Sequence, residues 1–271
     1  MSASAKLSFL VRPSPIVIFV LGALVTAAGV GVFAKRASGA GDAADEGLPL
    51  PYDVPTYGFA TTIRVNGVAV LEATRAFRME LPNGPVKGAA PDKNRAAAAS
   101  ALLKRELARY PSGFFTKVNL AGVVLADDLL ESETPIPSLP NVARLLLLDV
   151  NAAEIDLVRA VHHEIWHFAD LADDGVLSPD PTWRSLNPPN TFYGAGGRSI
   201  RGSWAAKPAN DLPGFVSAYA TAGDEEDKAE TFAFVVARRK LPNDPVVKAK
   251  VTELRARLEK LDPEAPAKLG F

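Results

Sequence analysis

The chain has 271 residues, with 30 Lys+Arg against 31 Asp+Glu, 3 His and no Cys. Without Cys there are no disulfide scaffolds, thiolate zinc sites, iron–sulfur clusters or thiol nucleophiles. A net charge of −1 gives no electrostatic footprint for nucleic acid, and a 48% apolar content is that of a folded chain.

The first feature in chain order is the 22 residues between Arg12 and Lys35, which carry no charge. About 20 apolar residues cross a bilayer, whereas a signal-peptide core needs about 7–15. Residues 1–36 are therefore expected to form a transmembrane signal-anchor helix. Val32, Phe33 and Ala34 offer an alternative cleavage site that would make the protein secreted. Either way the bulk of the chain is expected outside the cytoplasm, periplasmic or extracellular. Residues 37–57, rich in Ala, Gly, Asp and Pro, are expected to be a flexible linker. Residues 58–271 are expected to form one domain.

Within that domain, 82–93 reads as a loop and 94–110 as a helix capped by Asn94 and stopped by Pro111. Residues 114–130 contain strand-like material, and 143–150 form a short apolar run of the buried-strand type. A helix is expected from Asn151, whose pairing with Glu154 resembles a capping box. It has no Gly or Pro before Gly175, and Ile155, Val158, Val161, Ile165 and Phe168 follow helical spacing toward the core.

All three histidines lie on that helix. His163 and His167 are four apart, hence one turn apart on one face, and can chelate one ion; Glu164 between them can reach a water on that ion. Two neutral imidazoles, a divalent metal and a carboxylate base form a minimal unit for hydrolysis. His162 is rotated about 100° from His163 and is not expected to be a ligand.

With no fourth His and no Cys, the third protein ligand must be a carboxylate. One possibility is Asp173, at the position where an HExxHxxGxxH pattern has its last ligand. The Gly of that pattern is replaced by Asp170, and both Met residues precede the motif, so no Met-turn follows. The other is a Glu from a second helix over 223–240. That helix opens on Asp224, Glu225, Glu226 and Asp227 and closes on Arg238, Arg239 and Lys240, in accord with the helix dipole. Glu226 and Glu230 share a face: one could bind the metal and the other accept the second ring N–H of a ligand His. Ala229 and Ala233 permit close helix approach. A last amphipathic helix is expected over 244–260, capped by Asp244 with Pro245 first.

HHEIWH followed by SAYATAGDEEDKAETFA resembles the anthrax lethal factor-like group of zinc metallopeptidases, within the gluzincins. The resemblance spans roughly residues 110–236. It implies an α+β fold with a thermolysin-like zincin core, one Zn²⁺ per chain and a peptide or protein substrate. By position it implies His163, His167 and Glu226 as ligands, Glu164 as general base, Glu230 as outer carboxylate and Tyr219 as helper at the oxyanion. Many gluzincins carry Asp where this chain has Glu230. Tyr193 is an alternative to Tyr219. Trp183, Phe192 and the Gly194–Gly197 cluster read as packing and loop features. A tethered binding protein without activity and a hydrolase of non-peptide amides are the competing functions. The oligomeric state is not legible.

Overall fold

The structure, a computed structural model, describes residues 47–51, 54–197 and 212–271. The apolar stretch 13–34 lies outside them. No described helix is long and apolar enough to cross a membrane.

The fold is a mixed sheet with helices packed on one face. Strands β1 (Phe59–Val65) and β2 (Val68–Ala73) form a hairpin, as do β3 (Phe77–Leu81) and β4 (Gly84–Ala89). Helices α1 (Lys93–Leu107) and α2 (Phe114–Lys117) lead to the long strand β5 (Gly122–Glu131). The first half of β5 runs parallel to β2 and β8 (Leu145–Asp149), while its second half pairs antiparallel with β4 and the short β6 (Thr134–Pro135). Strand β7 (Ser138–Val142) pairs with β8 and has no partner on its other side among the described residues. The helices α3 (Glu154–Asp174), α4 (Pro181–Ser185), α5 (Asp224–Val236), α6 (Pro245–Leu261) and α7 (Ala265–Leu269) follow.

Period-two alternation sends the central strands to two cores. Val123, Leu125, Leu146 and Leu148 pack under the helices with Trp166, Ile165 and Phe232, whereas Val124, Ala126, Leu145 and Leu147 pack on the other face with Phe77, Met79 and Val86. Burial on both faces is why the Leu145–Leu148 run of β8 is apolar without alternation.

Several expectations need correction. The 82–93 loop is a hairpin turn followed by β4. Residues 114–130 begin with helix α2 before β5. Asp92, not Asn94, caps α1, accepting from the N–H groups of Asn94 and Arg95. Asn151 caps nothing: its own N–H donates to Asp149 Oδ1, and α3 starts at Glu154 with no side-chain cap. Ile155 is 60% exposed and Leu157 takes the buried position. Helix α5 ends before Arg238, whose φ of 53° breaks the helix, so the three basic residues lie beyond its last turn. The domain begins earlier than residue 58, because Val54 is buried and Leu50 packs against the same cluster. The 244–260 helix is found as α6, with Asp244 accepting from the N–H groups of Val246 and Val247.

Buried ion pairs fix α5 to its surroundings. Lys228 is fully buried, with Nζ 2.7 Å from Asp170 Oδ2 on α3, 3.1 Å from Asp180 Oδ2 and 3.1 Å from the carbonyl of Leu177. Removing one partner of a buried pair leaves the other charge uncompensated, whereas an exposed pair contributes little. Lys228→Met is therefore expected to lower unfolding free energy by about 3–5 kcal/mol in urea titration. Lys268→Met, which deletes the pair of an exposed lysine with an exposed Glu264, is expected to change it by less than about 1 kcal/mol. Equal effects would show that the Lys228 network does not hold the fold.

Candidate metal centre

Helix α3 supplies two histidines and α5 two carboxylates, each pair four residues apart. The helices can approach because Ala160, Ala229 and Ala233 are buried small residues. Three side-chain atoms converge. His163 Nε2 is 3.2 Å from His167 Nε2 and 3.0 Å from Glu226 Oε2, and His167 Nε2 is 3.6 Å from Glu226 Oε2. All three residues are buried. Donors held about 2.0–2.1 Å from a tetrahedral zinc ion stand about 3.3–3.4 Å apart, so the three spacings fit one ion. The donor set, two imidazoles and one carboxylate, also fits zinc and leaves the fourth position open.

The remaining ring nitrogen of His163 is fixed. Its Nδ1–H donates to Glu230 Oε1 at 2.9 Å, and Glu230 Oε2 accepts from Ser217 Oγ at 2.5 Å. That bond orients the ring and turns Nε2 toward His167 and Glu226, where it could serve as a ligand atom. Burial pushes the His163 pKa down, but hydrogen bonds to Glu226 and Glu230, with Glu164 nearby, outweigh it and raise it to about 10. The site is thus rich in negative charge and attracts a cation. Burial likewise opposes ionisation of Glu226, yet its hydrogen bonds to His163 and His167 hold its carboxyl well below the usual range.

Glu164 is buried between α3 and the sheet edge. Its Oε1 accepts from Ser138 Oγ of β7 at 2.6 Å, and its Oε2 has no hydrogen-bond partner among the described residues. A buried carboxylate oxygen left without a donor is costly unless water or a ligand reaches it.

Tyr219 begins a 3-10 turn, Tyr219–Ala222, just before α5, and its ring stands edge-on to His163 with centroids 5.7 Å apart. A Cβ at Gly197 would overlap both Glu226 Oε1 and Tyr219 Oη, so only glycine lets this backbone lie against them. The segment is tied down by Gly194 N–H donating to Thr221 O at 2.9 Å and Gly196 N–H donating to Ala222 O at 2.7 Å. The glycine cluster, a loop feature in the sequence, lies beside these side chains as a hydrogen-bonded wall.

The alternatives find other work. Asp173 pairs with Lys260, and Asp170 with Lys228. Tyr193 donates to Asp227 Oδ2 at 2.6 Å and accepts from Asn187 Nδ2 at 2.7 Å, and burial beside Asp227 pushes its pKa far up. Trp183 is buried and donates from Nε1 to Asp227, which is packing, whereas Phe192 is 85% exposed. His162 is buried on another face of α3: its Nδ1 accepts from Tyr110 Oη at 2.8 Å, and its Nε2 lies 3.2 Å from Glu106 Oε2. Burial lowers its pKa, in keeping with a neutral ring that joins α1 to α3. Ser138 was missed by sequence reasoning. Nothing in a five-residue strand with a central Pro marks it as a partner of Glu164.

No protein-family model and no curated protein matches the chain. A solved structure of a candidate zinc-binding metallo-peptidase from Bacteroides caccae ATCC 43185 is similar to it at 14% sequence identity and a TM-score of 0.44, over 64% of this chain and 72% of that one.

Proposed function

We propose that the chain is a zinc-dependent endopeptidase of the lethal factor-like group, held to a membrane by residues 1–36 and acting outside the cytoplasm. The observation that carries this reading is the convergence of His163 Nε2, His167 Nε2 and Glu226 Oε2 at tetrahedral spacing, next to a Glu164 oxygen with no donor. Extended peptides suit the site better than other amides. Strand β7 is a sheet edge unpaired on one side among the described residues, and its Ser138 touches Glu164. An edge strand pairs with a peptide backbone through main-chain hydrogen bonds. The tether rests on the uncharged stretch before Lys35.

Bound zinc would polarise a carbonyl and lower the pKa of a water toward about 7. The side chains divide the remaining tasks. His163, His167 and Glu226 hold the ion, and Glu230 fixes the His163 tautomer. Ser138 occupies Glu164 Oε1, so Oε2 takes the proton of the attacking water and passes it to the leaving nitrogen. The Tyr219 hydroxyl donates to the carbonyl oxygen as that atom gains charge. Burial of Glu164 and His163 strengthens each of these interactions.

Two expectations test the assignment. Glu164→Gln should bind zinc as the wild type does and lose about 10²–10⁴ of the rate on a peptide library. Wild-type turnover in that variant sinks the base assignment, and turnover that persists in excess chelator sinks the metal mechanism. In metal titrations, Glu226→Ala should lose zinc by more than the about 10–100-fold typical of an outer partner, and Asp173→Ala should retain it. The reverse ranking moves the third ligand to Asp173.

A further inference from the structure

One fully buried charge near the metal centre has no part in the chemistry described above. Arg159 lies four residues before His163 on α3, one turn away on the same face, and is fully buried. Its Nη1 is 3.5 Å from Glu230 Oε2. A guanidinium taken out of water costs several kcal/mol unless an anion compensates it. Glu230 is equally buried, with one oxygen on His163 Nδ1 and the other on Ser217.

Charge balance gives the same pairing. Among the described residues at the cluster, Glu164, Glu226 and Glu230 are acidic and Arg159 is basic, a balance that suits a cation. Among the described residues, other buried or half-buried cations pair elsewhere. Lys228 and Arg257 pair with Asp180, Lys250 with Asp227 and Arg184 with Asp224.

We infer that Arg159 is a positioning residue of the metal centre that acts through Glu230. Its charge holds the Glu230 carboxylate against His163 Nδ1, which keeps the proton on Nδ1 and points Nε2 at the metal. The inference rests on the metal-centre reading above. The contact is an ion pair: Ser217 Oγ is the hydrogen-bond donor to Glu230 Oε2 among the described residues, and loss of the guanidinium removes the positive charge that holds the carboxylate beside the imidazole. The effect belongs to metal affinity, because Arg159 is separated from the metal by both Glu230 and His163.

The test is zinc affinity, measured by competition with a chromophoric chelator on the full chain, for the wild type, Arg159→Met, Arg159→Lys, Glu230→Gln and the Arg159→Met/Glu230→Gln pair. Thermal unfolding of each metal-free variant checks folding. Arg159→Met is expected to weaken zinc about 10–100-fold, the range for outer partners of a metal ligand. Arg159→Lys, which keeps the charge, should retain most of the affinity. The double variant should bind no more weakly than Glu230→Gln, because Arg159 has nothing left to act through. If Arg159→Met does not fold, Arg159→Gln takes its place in the same cycle. Unchanged affinity in the neutral variant, or losses that multiply in the double variant, overturns the inference. If the wild type binds zinc and Glu226→Ala loses it, either result refutes the role of Arg159 alone. If the wild type binds no zinc, the metal-centre reading fails with it.

Discussion

His163 is held at both ring nitrogens by one helix. Glu230 takes Nδ1 and Glu226 lies against Nε2, 2.9 Å and 3.0 Å away. Because these carboxylates are one turn apart on α5, they straddle the imidazole only if the two helices are close and in one axial register. Ala160, Ala229 and Ala233 supply the closeness. A larger side chain at any of them would separate the helices and remove Glu226 from His167. The geometry of the cluster and core packing are therefore one constraint, and His163, His167 and Glu226 are buried because the interface that brings them together is buried.

The register is held from the far side of α5. Successive residues leave a helix about 100° apart, so the acidic run that opens α5 points in several directions. Glu226 faces the histidines. Asp224 accepts from Ser178 Oγ, the N–H of Asp180 and Arg184. Asp227 accepts from Trp183, Tyr193 and Lys250. Asp224 and Asp227 are fully buried and thus require these partners. Rotation or a slide of α5 would separate several buried pairs at once, at a cost far above that of any exposed pair.

The converging side chains were legible in the sequence because spacing on a helix is a local property. The pairs His163/His167 and Glu226/Glu230 follow from i, i+4 arithmetic, and the choice of Glu226 over Asp173 came from the family resemblance. The acidic run was legible as a helix start, but its inward direction was not, since partners such as Lys250 and Trp183 lie far away in sequence. His162 was undecided for the same reason: Tyr110 and Glu106 sit on other elements. Turns divide along similar lines. Asn66-Gly67 carries the ordinary signal of a two-residue hairpin, with φ of 50° and 81°. Ala143-Arg144 makes the equivalent turn between β7 and β8 with φ of 50° and 69°. No local rule would choose Ala and Arg for that conformation, so β7, and with it Ser138, stayed hidden. The capping box at Asn151 failed by a competing local bond, the donation of its N–H to Asp149.

The two tyrosines near the site show how environment separates similar groups. Tyr193 spends its hydroxyl on Asp227 and Asn187, so it anchors the segment that follows it. Tyr219 stands against the His163 ring, with the backbone of Gly197 beside its hydroxyl. The first makes the second possible. Tyr193 fixes the start of the 194–197 wall, the N–H groups of Gly194 and Gly196 tie that wall to the Tyr219–Ala222 turn, and Gly197, having no side chain, lets it close on Glu226 and Tyr219. Tyr219 and Glu226 are thereby held by one backbone surface. That surface is set by Asp227, immediately after Glu226 in the sequence and turned about 100° away round the same helix.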